Sequence, residues 1–162
     1  MYLPAIEEIA LTLRQSINLP DNTFKLNETG KRKKMSETKI EWSVENHVIL
    51  TKPYEWDAAG LAEDIVTVNE MVNQSSLPLV HTLWDFTDLA KYPTSINDIR
   101  KAVQPLFTND QLGWVITVME NPMVAFLAKV ATSMYGVRYY TAKTMDEALE
   151  FLHERDATLA NQ

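Results

Sequence analysis

Val80-His81-Thr82-Leu83-Trp84-Asp85-Phe86-Thr87-Asp88 is the passage on which the fold turns. Residues 79–84 have the length and the β-branched and aromatic content of a strand, and Asp85 closes it. On its upstream side, Asp57 can cap a helix whose Leu61, Ile65, Val68 and Val72 form one apolar stripe. Ser75-Ser76-Leu77-Pro78 ends that helix. On the downstream side a helix opens near Ser95, with Ile96, Ile99 and Val103 on one face, and Pro105 is expected to end it. A strand set between two helices is the middle of a pair of crossovers, so its neighbours run parallel to it.

Working outward, Ile40, Trp42 and Val44 alternate with Lys39, Glu41 and Ser43, the period of a half-buried strand. Glu45-Asn46 is a turn, and His47 to Thr51 is a second strand that pairs back as a hairpin. Towards the other end, residues 114–119 form a fourth strand. Asn121 as cap and Pro122 at the first helical position open a further helix, which Gly136 ends. Residues 137–141 make a fifth strand, and Thr144 with Glu147 forms a capping box for the last helix. Met145, Ala148, Leu149 and Leu152 then face inward. The fold class is α/β: a single domain over residues 38–156, order ββαβαβαβα, with a mixed, mostly parallel five-stranded sheet. Trp42, Ile49, Leu83, Val115, Ile116, Leu127, Leu149 and Leu152 are its expected core, and residues 157–162 read as a C-terminal tail.

The N-terminal 37 residues differ. Ile6, Ile9, Ala10, Leu13 and Ile17 share a helical face over residues 5–17, and 18–37 reads as a basic linker. Residues 1–34 carry six basic against four acidic side chains; the remainder carries nine against 18. Met35-Ser36-Glu37-Thr38 opens directly on the first strand, after Lys31-Arg32-Lys33-Lys34, whose codons can be purine-rich as in a bacterial ribosome-binding site. Met35 is therefore the expected native start, with a docking helix at 5–17 as the competing reading.

Bulk properties exclude several classes. The net charge of −7 argues against nucleic-acid binding by the main domain. There is no cysteine, so disulfides, thiolate metal sites and cysteine nucleophiles are absent. The longest apolar candidate, residues 123–135, is too short for a transmembrane segment and carries Lys129. A cytoplasmic location is expected.

Three segments resemble the SpoIIAA-like branch of the STAS family and the wider SEC14-like superfamily. They are the strand pair Trp42 to Thr51 leading to the Asp57 helix, the passage Val80 to Asp88, and the tail Val137-Arg138-Tyr139-Tyr140 with Thr144 to Leu152. The resemblance implies a non-enzymatic regulatory module that binds a protein partner, with no cofactor. It also implies a phospho-acceptor at a helix N-terminus. Here the matching place is Pro93-Thr94-Ser95-Ile96, which makes Ser95 and Thr94 the candidates. Pro93 and Ile96 stand where the family has Asp and Gly. Without the resemblance, Ser95 followed by Asp98 reads as a helix cap.

Asp85 and Asp88 lie at a strand's carboxyl end, the side where open α/β sheets hold ligands. A phospho-accepting receiver would also need acids after the first parallel strand, and Leu50-Thr51-Lys52-Pro53 has none. Otherwise Asp85 is a turn former. His47, His81 and His153 lack metal-ligand spacing. His81 shares a strand face with Leu83 and Asp85, a pairing that reads as structural before it reads as catalytic. Met123, Val124, Phe126, Leu127, Val130, Ala131 and Met134 spread apolar residues round more than one side of a helix. That pattern means deep burial, or else a groove for a partner or a small apolar ligand. Asp85, Asp88, Trp114, Met123, Phe126 and Met134 are accordingly the candidate ligand or partner face. The second functional reading is a carrier of a small apolar ligand beside the 123–135 helix. A third is an enzyme built on Asp85, His81 and nearby hydroxyls.

Overall fold

Alternation in residues 39–52 folds into a hairpin. The strands are β1 (Lys39–Val44) and β2 (Val48–Lys52), paired antiparallel. Asn46 takes a left-handed conformation (φ 59°) in the turn, a region asparagine enters more readily than most residues. The register slips between Trp42 and Val44. Ile40 and Trp42 therefore pack on one side of the sheet and Val44 on the other, where strict alternation had put all three together. The molecule is known from a computed structural model that describes residues 38–159. The N-terminal helix, the basic linker and the Met35 start lie outside the described residues.

Beyond the hairpin come α1 (Ala58–Gln74), β3 (Val80–Asp85), α2 (Ile96–Phe107), β4 (Leu112–Val118), α3 (Pro122–Tyr135), β5 (Arg138–Ala142) and α4 (Met145–Arg155). The expected order ββαβαβαβα is the observed one. Strand order in the sheet is β1-β2-β3-β4-β5, with every pair after the hairpin parallel. Each crossover thus joins neighbouring strands. Crossovers of one hand place their helices on one face, and α1, α2 and α3 do pack together on one side, over Ile49, Val80, Trp84 and Val115. α4 follows the last strand and folds under the opposite side, against Val48, Leu83, Ile116 and Val118.

The caps are those expected. Asp57 accepts from Gly60 N, Asn121 from Met123 N and Val124 N, and Thr144 from Glu147 N. Gly136 sits at φ 65°, the left-handed exit that glycine enters without steric cost. Pro105 does not end α2, which runs on to Phe107. Only the backbone bond from residue 105 to the Lys101 carbonyl is lost, near the helix end, and past it Thr108 bonds the Gln104 carbonyl through both its N–H and its hydroxyl. Of the eight expected core residues, six are buried; Trp42 and Leu149 are half-buried at the margins of the two clusters. The packed unit also extends past 156: Leu159 is 3% exposed and belongs to the core under α4.

Candidate functional site

The carboxyl ends of the parallel strands carry a charged knot. Asp85 accepts from Thr87 N (3.0 Å) and Thr87 Oγ1 (2.6 Å), the turn-forming role. Lys52 reaches both Asp85 (3.2 Å) and Asp88 (2.7 Å). Burial pushes the Asp85 carboxyl up, but Thr87 and Lys52 outweigh it and hold it below the ordinary range. Asp88, then Asp85, raise the Lys52 ammonium in return. One ammonium thus serves two carboxylates, and the knot keeps one net negative charge. His81 is not part of it.

Thr94 and Ser95 are exposed at the start of α2. Ser95 Oγ accepts from Asp98 N at 3.4 Å, so the hydroxyl caps the helix and also faces water. Trp114 stands apart from the other candidates. It lies on the α4 side of the sheet, edge-on to Phe151 at 4.9 Å, while Met123, Phe126 and Met134 lie on α3. The six-residue face expected from the sequence is therefore three separate places.

Deep burial does not explain the apolar breadth of α3. Met123, Phe126 and Met134 are 54, 59 and 50% exposed. With Val130 they make a stripe on the helix's outer side, at the i, i+3, i+7 and i+11 positions that share one helical face. The inner side, Val124, Leu127, Ala128, Ala131 and Thr132, faces a cavity of about 90 Å³ between α3 and the sheet. Trp56, Trp84, Phe86, Tyr92 and Phe107 supply its aromatic wall. Trp56 meets Trp84 and Phe86 edge-on, with centroids 5.8 and 5.3 Å apart. Bonds from Trp56 N to Lys91 O (2.7 Å) and from Ala90 N to Tyr54 O (2.8 Å) sew the 86–93 loop over one end.

A polar network on the opposite side of the sheet escaped sequence reading. His81 is 2% exposed. Its Nδ1 accepts from Trp114 N (2.9 Å), which fixes the proton on Nε2, and Nε2 donates to Asp156 (2.9 Å). Thr158 donates to Asp156 Oδ1 through its N–H (2.9 Å) and its hydroxyl (2.6 Å). With that proton committed, His47 Nε2 donates to Thr158 Oγ1 at 3.1 Å. Burial keeps the His81 imidazole below its ordinary pKa, against the pull of Asp156. Burial pushes Asp156 up, yet the bonds from Thr158 and His81 prevail and hold it at about 2. The ring occupies a slip in register between β3 and β4, where Gly113 is passed so closely that a Cβ would sit 2.4 Å from Nδ1. His81–Asp156 is thus a structural pair, with Asp156 where the strand pattern had suggested Asp85.

Among the described residues no group of three His, Cys, Asp or Glu side chains could hold a metal ion, and no helix is long and apolar enough to cross a membrane. No family model and no curated protein matches the sequence. Among solved structures, the chain is similar to that of the Bacillus cell fate determinant SpoIIAA in its phosphorylated form. The identity is 13%, over 71% of this chain and 98% of that one, with a TM-score of 0.45.

Proposed function

We propose that this chain is a non-catalytic regulatory module that docks a protein partner on the outer face of α3. The observation that carries the proposal is the solvent-facing stripe of Met123, Phe126, Val130 and Met134. Methionine-rich apolar surfaces adapt to partners, and clustered large apolar side chains in water mark interaction sites. Ser95, with Thr94 second, is the residue to carry a phospho-switch: it is exposed, and a helix N-terminus favours the added charge. The acidic balance disfavours nucleic acid as the partner, and the cytoplasm is the compartment this reading assumes. The test is a pull-down from the source cell with the wild-type chain beside a Phe126→Ser/Met134→Ser variant. A partner captured by the wild type and lost by the variant supports the reading; equal capture by both refutes the α3 surface. Ser95→Asp should then weaken the same capture at least fivefold.

The second reading, a carrier or sensor of a small apolar ligand, is favoured by a different observation: the cavity on the inner face of the same helix. Lipid extraction followed by native mass spectrometry tests it. A bound small molecule in the purified protein supports a carrier, and its repeated absence counts against one.

A further inference from the structure

The cavity between α3 and the sheet has two properties that bear on what could enter it. The first is position. Its walls are the carboxyl ends of β3 and β4 (Trp84, Thr117), the loop after β3 (Phe86, Leu89, Tyr92) and the inner faces of the three covering helices, from opening turns (Leu61, Ile99, Val124) to the end of α2 (Phe107) and the later turns of α3 (Ala131, Thr132). It therefore reaches the end of an open parallel sheet at which ligands are held. The space is concave, apolar and partly open, the form of a small-molecule pocket.

The second property is the accounting of its polar atoms. Trp56 Nε1 donates to Asp64 (2.6 Å), and Trp84 Nε1 donates to Thr82 Oγ1 (3.0 Å). Thr117 Oγ1 is bonded to Tyr139 OH (2.9 Å), and Thr132 Oγ1 donates to Ala128 O (2.9 Å). Among the described residues Tyr92, half-buried in the 86–93 loop, is the remaining polar side chain of a wall whose surface is almost wholly apolar. Among the described residues no cationic or anionic side chain lines the space. A charged group taken inside would lose its hydration and gain no partner, a cost of several kcal/mol. Water would find too few polar partners to stay.

We infer that this cavity binds a neutral, apolar guest of about one small ring. The inference rests on the carrier reading and narrows it. A dry cavity of about 150 Å³ lined by Leu, Ile and Phe takes up benzene or xenon; about 90 Å³ here is of that order and short of an acyl chain.

The experiment titrates the full chain with toluene and, separately, with octanoate, by calorimetry and by tryptophan fluorescence, since Trp56 and Trp84 form part of the wall. Toluene is expected to bind saturably, one per chain, and to change the emission. Ala128→Leu, which fills the space from α3, should weaken toluene at least tenfold. If Ala128→Leu does not fold by circular dichroism, Ala131→Val fills less and serves instead. Toluene binding that neither folded variant weakens overturns the site. Octanoate binding without toluene, blocked by the filling variant, overturns the guest class and leaves a carrier standing. Failure of both probes to bind the wild-type chain overturns the carrier reading together with this one.

Discussion

Under α1, α2 and α3 the sheet presents Ile49, Val80, Trp84 and Val115, and above them lie aromatic rings round unfilled space. Under α4 the same strands present Val48, Leu83, Ile116 and Val118, and beside these runs a chain of hydrogen bonds from His47 through Thr158 and Asp156 to His81 and Trp114. One side holds a partly open apolar space of about 90 Å³; on the other, the polar atoms of this hydrogen-bonded chain are paired. The two faces of one sheet are therefore under different demands. The α4 side is tied by a hydrogen-bonded network, whereas the side under α1, α2 and α3 leaves an apolar space where a ligand would sit.

The largest expected effect breaks the hydrogen-bonded side. Gly113→Ala puts a methyl group against the His81 ring, which is held at both nitrogens, and should cost about 3 kcal/mol in chemical denaturation. His81→Ala/Gly113→Ala should be less destabilised than the sum of the single changes, because the collision disappears with the ring. Strict additivity would mean that the close approach is not what makes the glycine necessary.

Acid sharpens the same contrast. His81 has a folded pKa below its ordinary value, so the unfolded chain takes up a proton there first. Stability should begin to fall as pH drops below about 6.5. Asp156, held at about 2, adds a second loss as pH falls from its ordinary value of 3.8 towards 2. Both losses belong to the α4 side, so His81→Gln/Asp156→Asn should flatten thermal stability over that range. An unchanged slope would assign the acid sensitivity elsewhere.

The smallest effect is on the helix-covered side. Thr51 is fully buried beside Trp84 in the register, and among the described residues its Oγ1 is the buried side-chain atom with no partner. Thr51→Val removes an unpaired hydroxyl at constant shape and should raise stability by about 1 kcal/mol, read as a higher denaturation midpoint. A loss instead would mean that the hydroxyl is satisfied in solution.

Element order, caps and most of the core were legible because each has a local signal: alternation in β1, Asn121-Pro122 at the start of α3, Gly136 at its end. The slip that turns Val44 to the other side of the sheet was not, since a bulge changes register without changing composition. At the candidate sites, the Asp85 turn and the Ser95 cap were readable for the same local reason. Periodicity also showed that α3 is apolar on more than one side, but it cannot say which side meets water; that depends on what the fold stacks above it. The His81–Asp156 pair was beyond reach, because its partners are 75 residues apart, Asp156 stands at the very end of the expected domain and its support, Thr158, lies in what looked like tail. A glycine one residue before Trp114, in an otherwise β-branched strand, was the available hint of a close approach.

Because the strands stand in the sheet in the order in which they occur in the chain, each can be laid against its predecessor after closing only one helix-sized loop. The hydrogen bond between His47 and Thr158 is different: it joins groups 111 residues apart. It has little to contribute until all five strands are in place, so it belongs late in folding, after the rate-limiting step. Thr158→Ala should then leave the refolding rate in stopped-flow experiments nearly unchanged and speed unfolding. The bonds around Asp156 would act as a brake on opening, setting how long a folded molecule lasts and not how quickly it forms.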